Sequence, residues 1–314
     1  MKQSEGGMKL RSFSGWFVLI LASAVSGQSQ NSGTGAANFL KIGVGAKATG
    51  LGEAFVAIAD DATGAYLNSA GLADLNQSQV TFMHNEWLSD LRYEYLSYAA
   101  PYQEKGTFAF SFSYLSLGKF QGYDLSGNPT ADFSAYDLAA LLAYGHKLNP
   151  QFSLGGAVKY IQQKIENEKA GALAVDFGAL YEINQFNFGF SLRNLGTQMQ
   201  FIQEKYSLPL TADLGLAYRG LANLTLAADV EIPRDNSVRL KQGIEYNYQE
   251  SIFLRMGYGY STSGNDFGGS SGLALGAGFM LKQYKFDYAY SPNADLGDAH
   301  RFSFTLNFGS LRGM

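Results

Sequence analysis

The sequence predicts an all-β fold: a 14-stranded antiparallel transmembrane β-barrel with a short N-terminal helical plug, or hatch, in its lumen. Three observations carry this. The amino terminus reads as a secretion leader with no second apolar run behind it, the chain from residue 77 onward alternates with period two, and a Gly- and Ala-rich segment precedes the first strand. Composition agrees: only 16% of residues are charged, while 37 Gly, 23 Phe and 20 Tyr suit strands and tight turns better than charged helices. A net charge of -4 with three His supplies no basic field for nucleic acid, which is excluded as a partner.

In chain order, Lys2, Lys9 and Arg11 precede the apolar run Trp16 to Val25, and Val25-Ser26-Gly27 offers small residues for cleavage before Gln28. Residues 1–27 therefore read as a signal peptide. The run is about ten residues, half of the roughly 20 that a spanning helix needs. An exported chain without a longer apolar run enters a membrane only as a closed barrel. No Cys is present, so disulfides do not hold the fold together.

Residues 77–314 form the barrel. At the carboxyl end Phe302, Phe304, Leu306 and Phe308 alternate with Arg301, Ser303, Thr305 and Asn307. The same period recurs at Leu224 to Ile232 and Phe186 to Leu192. In 272–281, Leu273, Leu275, Phe279 and Leu281 alternate with Gly272, Ala274, Gly276 and Gly278, so one face carries almost no side chain and leaves room for something inside. Strands are expected near 78–86, 91–101, 106–116, 134–147, 151–163, 170–183, 185–194, 208–219, 222–232, 239–248, 250–261, 270–281, 283–291 and 299–309. Tight links near 102–105, 148–150, 184 and 220–221 alternate with longer ones at 116–133, 163–170, 194–207 and 261–269. An even strand number with short turns on one side and long loops on the other is the bacterial outer-membrane pattern, the short side periplasmic. Tyr144, Tyr160, Tyr181, Tyr218, Tyr258, Tyr260 and Tyr290 end apolar faces as an interfacial girdle would. Lys159, Asp176, Arg193, Asp213, Asp229, Glu231, Lys241, Glu245, Arg255 and Asp287 fall on the opposite parity, toward the lumen, with signs that suggest internal ion pairs. A soluble sandwich or propeller shares the alternation, but strand length and Phe-, Leu- and Tyr-rich faces favour a membrane crossing.

Residues 28–76 are the plug. Gly43-Val44-Gly45-Ala46-Lys47-Ala48 loosely matches a dinucleotide loop, yet that loop requires parallel strands alternating with helices, and a phosphate loop requires Ser or Thr after its Lys. Glu53, Asp60 and Asp61 supply too few ligands for a metal and no paired environments for acid and base work. No catalytic residue, cofactor or metal is assigned. Leu51, Ala54, Phe55, Ile58 and Ala62 fall at helical spacing, which predicts a short amphipathic helix between Gly50 and Asp61 with the acids at its ends. A 14-stranded barrel is wider than an eight-stranded one that side chains can fill, so its interior holds water or a plug, and this Gly- and Ala-rich segment is expected to fold inward as that plug.

The run Gly45 to Thr63, followed by Ala65-Tyr66-Leu67-Asn68-Ser69-Ala70-Gly71-Leu72, resembles the amino-terminal hatch of FadL-type outer-membrane barrels and, more narrowly, the PorV/PorQ family. Gly45, Gly50, Gly52, Asp60, Asp61, Asn68, Ala70 and Gly71 carry the hatch motif. The usual Asn-Pro-Ala element reads Asn68-Ser69-Ala70 here. The resemblance implies a non-enzymatic protein of the bacterial outer membrane, in contact with its lipid, that takes part in type IX secretion and surface attachment by meeting the translocon or cargo bearing a carboxyl-terminal signal. Phe120, Tyr123 and Leu125 in the loop 116–129, with the approach 206–209, are the candidate partner contacts. The alternative is FadL-like passage of a hydrophobic small molecule, for which an apolar pocket against the plug, with Leu141 and Phe253 among its walls, is expected.

Overall fold

A computed structural model describes residues 35–87, 91–102, 105–263, 272–292 and 298–310. The expected signal peptide lies outside the described residues, as do the first residues of the expected plug. The described residues hold sixteen strands: β1 (Gln77–Trp87), β2 (Leu91–Pro101), β3 (Thr107–Phe120), β4 (Phe133–Asn149), β5 (Phe152–Ile165), β6 (Glu168–Ile183), β7 (Phe186–Gly196), β8 (Met199–Phe201), β9 (Glu204–Tyr206), β10 (Thr211–Leu221), β11 (Leu224–Pro233), β12 (Arg239–Tyr248), β13 (Ile252–Ser261), β14 (Leu273–Leu281), β15 (Tyr284–Pro292) and β16 (Asp298–Ser310). Fourteen of them, all but β8 and β9, pair antiparallel with their neighbours, and β1 meets β16 to close the barrel.

The alternation read from the sequence sorts outside from inside. Arg301, Ser303, Thr305 and Asn307 of β16 are buried, while Phe302 and Phe308 are exposed. The same inversion holds at Phe108, Phe110, Leu142, Val158, Leu173 and Phe177. A soluble sandwich would bury those side chains between its sheets; an outward apolar belt around a closed barrel is the arrangement that lipid stabilises.

Three links differ from expectation. β3 and β4 continue past a register shift to pair Lys119 with Ser134 and Phe120 with Phe133, whose rings stack 5.4 Å apart, so the connection shrinks to 121–132. The link expected over 163–170 is a two-residue turn, 166–167, with Glu166 at φ +54°. The link expected over 194–207 contains the β8–β9 hairpin, which tucks Met199 fully into the interior.

Inside the barrel, residues 35–76 form two short helices, α1 (Ala46–Gly50) and α2 (Gly64–Leu67), flanked by 3-10 turns at Asn38–Lys41 and Ser69–Asp74. The helix expected between Gly50 and Asp61 does not form. Glu53 at φ +66° and Ala59 at φ +34° leave the right-handed helical region, and the N–H groups of Phe55 and Val56 donate to the Asp229 carboxylate of β11 instead of to a preceding turn. The segment closes local turns, with the Glu53 N–H on the Ala48 carbonyl and the Ala59 N–H on that of Phe55, and the wall supplies the acceptor for the two N–H groups between them.

Candidate functional site

The plug crosses the lumen from end to end. At the long-loop mouth the Ala36 N–H donates to the Ser207 carbonyl and Lys41 pairs with Asp235 at 2.6 Å. At the short-turn end Lys147 pairs with Asp74, just before β1 begins. Between them the Gly45 N–H donates to Met83 Sδ, the Ala46 N–H to Ser303 Oγ, and the Ala62 N–H to Gln79 Oε1. Ser97 and Ser191 donate in turn to the Ala62 and Leu67 carbonyls.

What lets backbone lie this close to strands is a track of inward glycines. Gly145, Gly155 and Gly178 are cross-strand neighbours on β4, β5 and β6; Gly189 faces Gly215, and Gly243 faces Gly257. A Cβ at Gly145 would stand 2.5 Å from the Ser69 carbonyl oxygen, at Gly189 2.5 Å from that of Val56, at Gly243 2.5 Å from that of Leu51, and at Gly257 2.6 Å from Gly52 Cα. Absent side chains thus form the seat.

The motif residues occupy distinct places along this seat. Gly45 sits at φ +84° ahead of α1. Gly50 packs on Gly276, Gly52 against β13, and Gly71 against Ala59 within the plug. Asn68 donates through Nδ2 to the Val56 and Ala179 carbonyls and accepts from the Ala70 N–H, so it joins two plug segments to β6 although Ser69 follows it in place of Pro. The two acids expected at one helix diverge: Asp61 accepts from the Thr63 N–H ahead of α2, whereas Asp60 pairs with Lys47 at 2.6 Å and Arg219 at 3.6 Å.

The lumen has two unlike halves. From β7 through β10 to β16 it is charged: Arg193 meets Asp213 and Glu231, Lys241 meets Glu231, and Arg255 bridges Glu245 and Asp287. Glu53 of the plug joins this set, 3.6 Å from both Arg239 and Lys241 and 3.8 Å from Arg301. Burial alone would raise its carboxyl pKa, but Lys241, Arg239 and Arg301 outweigh that and hold it below the ordinary carboxylate value. Burial likewise pulls the Lys47 ammonium down, and Asp60 beside it more than restores it, leaving the pKa raised.

Toward β1 to β6 the long-loop half is largely apolar, with Asp137 of β4 buried opposite Leu115 and a buried Lys159–Asp176 pair, 2.9 Å apart, lower on β5 and β6. Met83, Tyr93, Tyr95, Leu115, Ile161 and Met199 are buried around Phe39 and Leu40 of the plug. Tyr66 links the halves, its ring edge-on to Tyr95 and under the Lys159 ammonium, its hydroxyl donating to the Leu40 carbonyl. The expected pocket with both Leu141 and Phe253 is not formed. Leu141 packs with Leu72 and Leu75 on the plug, while Phe253 lies in the charged half beneath Arg255 and Lys285. A groove of about 570 Å³ between Phe110, Leu142, Val158 and Phe177 lies on the outer, lipid-facing wall.

The candidate partner loop stands away from all of this. Leu125 is fully exposed and Tyr123 largely so, at the tip of a turn in which Asp124 accepts from the Ser126 and Asn128 N–H groups. Phe120 is half-exposed on its stack with Phe133. Nothing in the fold draws these three toward the plug residues of the motif.

The model of Uncharacterised protein family UPF0164 matches residues 17–159, under half of the chain. No curated protein matches it. Among solved structures, the CymD monoaromatic hydrocarbon channel is similar over 85% of this chain and 98% of its own, at 12% identity and a TM-score of 0.62. The Pseudomonas putida toluene transporter TodX is similar over 79% of this chain and 94% of its own, at 12% identity and 0.59. A Pseudomonas aeruginosa FadL homologue is similar over 83% and 97%, at 13% identity and 0.53. At such identities the likeness concerns the fold, and the chain has the FadL-like 14-stranded barrel fold.

Proposed function

We propose that this chain is a bacterial outer-membrane channel that admits a hydrophobic small molecule. The apolar long-loop half of the lumen carries the reading: a general porin presents a polar, water-filled interior there, whereas here Leu115, Ile161 and Met199 surround Phe39 and Leu40. Phe39 and Leu40 occupy the place that an apolar guest would take, held by the short 3-10 turn Asn38–Lys41. Structural neighbours described as hydrocarbon and toluene channels support this reading over the secretion role that the PorV/PorQ resemblance implies.

The test is photolabelling of the purified barrel in lipid nanodiscs with an apolar aryl diazirine. Saturable labelling of Met83, Leu115 and Ile161, competed by naphthalene, is the expected result. Labelling confined to lipid-facing residues such as Leu142 and Phe177, and insensitive to competitor, overturns it. The secretion reading keeps one observation of its own, the exposed Tyr123 and Leu125 at a rigid loop tip. A gene deletion that leaves the surface proteome unchanged removes it.

A further inference from the structure

Several inward polar side chains are matched to the plug or to each other: Gln79, Ser97, Gln163, Ser191, Asp229 and Ser303 each bond a plug backbone group, and Thr81 bonds Thr305. The buried hydroxyls of Tyr93, Tyr95 and Ser113 have no such partner. Asn85, opposite Tyr93, lacks one for a donor and an acceptor alike. It is completely buried in β1, and neither its Nδ2 nor its Oδ1 has a hydrogen-bond partner. Leaving such an amide unsatisfied is destabilising, and a Leu of similar size would avoid that cost at an inward position beside Met83.

Asn85 stands directly opposite Tyr93 on β2 and Arg301 on β16. Arg301 also has a buried, unpaired Nε, while its Nη1 meets Thr49 Oγ1 and lies near Glu53. Two residues toward the short-turn end, the plug has already used Met83 and Ser303. Asn85 and Arg301 therefore lie on the long-loop side of the Gly45 and Ala46 contacts, where Tyr93, opposite Asn85, clusters with Tyr95, Leu115 and Phe39.

We infer that Asn85, with Arg301 beside it, is a polar subsite in the apolar half of the lumen and selects an apolar molecule carrying one uncharged hydroxyl or carboxamide. This rests on the transport reading above. A free carboxamide offers a donor and an acceptor together, which a hydroxyl or an amide satisfies and a pure hydrocarbon does not. A carboxylate is disfavoured because it only accepts, leaving Asn85 Oδ1 unmatched.

Competition at the same diazirine label separates the possibilities, with naphthalene, 1-naphthol and 1-naphthoate as competitors and with wild type and Asn85→Leu in identical nanodiscs so that partitioning into lipid cancels. In wild type 1-naphthol is expected to compete at about tenfold lower concentration than naphthalene, the factor one satisfied hydrogen bond supplies, and to outcompete 1-naphthoate. Asn85→Leu is expected to compete equally with naphthol and naphthalene while keeping saturable labelling; Asn85→Gln restores part of the preference. Heat-modifiable migration on gels verifies that each variant is folded. A naphthol preference that persists in Asn85→Leu, or is absent from wild type with labelling intact, overturns this subsite alone. Absence of saturable labelling by any probe overturns the transport reading and the subsite with it.

Discussion

Glu53 is the residue through which the plug is tied electrically to the wall, and its surroundings predict how that tie responds to acid. Its pKa is depressed in the folded state by Lys241, Arg239 and Arg301 against the opposing effect of burial. A depressed carboxylate contributes stability that is fully present above its ordinary value of 4.5 and is lost as pH falls through the lower, folded value. Glu53→Gln is thus expected to lower barrel stability by about 2 kcal/mol at pH 7, and the gap to wild type should close as the medium is acidified below the ordinary carboxylate range. Urea unfolding in lipid at pH 7 and at progressively lower pH measures both; a gap that does not change with pH would mean that the carboxylate's charge is irrelevant to seating. Inward placement of Glu231, Lys241 and Arg255 was readable from parity alone, because period two assigns each side chain to a face. The partner of Glu53 was not, since it depends on where a left-handed residue inside the plug points relative to strands nearly 190 residues away. Asn85 was invisible for the same reason: parity places it inside but says nothing of whether a bonding partner stands opposite.

At the scale of elements, the glycine track makes a sharper demand than the plug's own sequence. Gly257→Ala puts a methyl group into the Gly52 backbone, while Gly156→Ala meets only the Asp176 carbonyl oxygen at 3.7 Å. The first is expected to destabilise by about 1–3 kcal/mol through overpacking and to expose residues 35–76 to protease added from the short-turn side; the second should behave as wild type. Equal protease resistance in the two variants would argue that the plug does not bear on β13. The bare face of β14 was legible as Gly272, Ala274, Gly276 and Gly278 in one parity, and Gly276 does carry Gly50 of the plug. The plug's helical content was misjudged because Leu51, Ala54, Phe55 and Ile58 have helical spacing, whereas apolar groups on a segment enclosed by strands need no single face. Two three-residue strands, β8 and β9, were too short for any period to register.

For the molecule as a whole, the apolar exterior sets which substitutions lipid will resist. Leu142 projects from the middle of β4 and Ile252 from the short-turn end of β13. Leu142→Arg is expected to cost about 2–4 kcal/mol of folding free energy in a bilayer, and Ile252→Arg about 1 kcal/mol or less, following the depth of each in the membrane. Folding titrations into vesicles decide it, and similar losses at both sites would mean that the belt is not where the strands place it. Architecture at this level was the most legible part of the chain, since strand number and closure follow from the repeated period. Closure has one more consequence. The Ala46 N–H meets Ser303, 257 positions later, and the Thr49 hydroxyl accepts from Arg301, 252 positions later; both partners lie on β16, which follows the other barrel strands in chain order. An incomplete chain therefore has no finished seat for its amino-terminal segment, and a seam zipped shut beforehand would force that segment to thread through the mouth. The cheaper order of assembly is wrapping: the growing sheet curls around residues 35–76, and the joining of β1 to β16 is the step that locks them in.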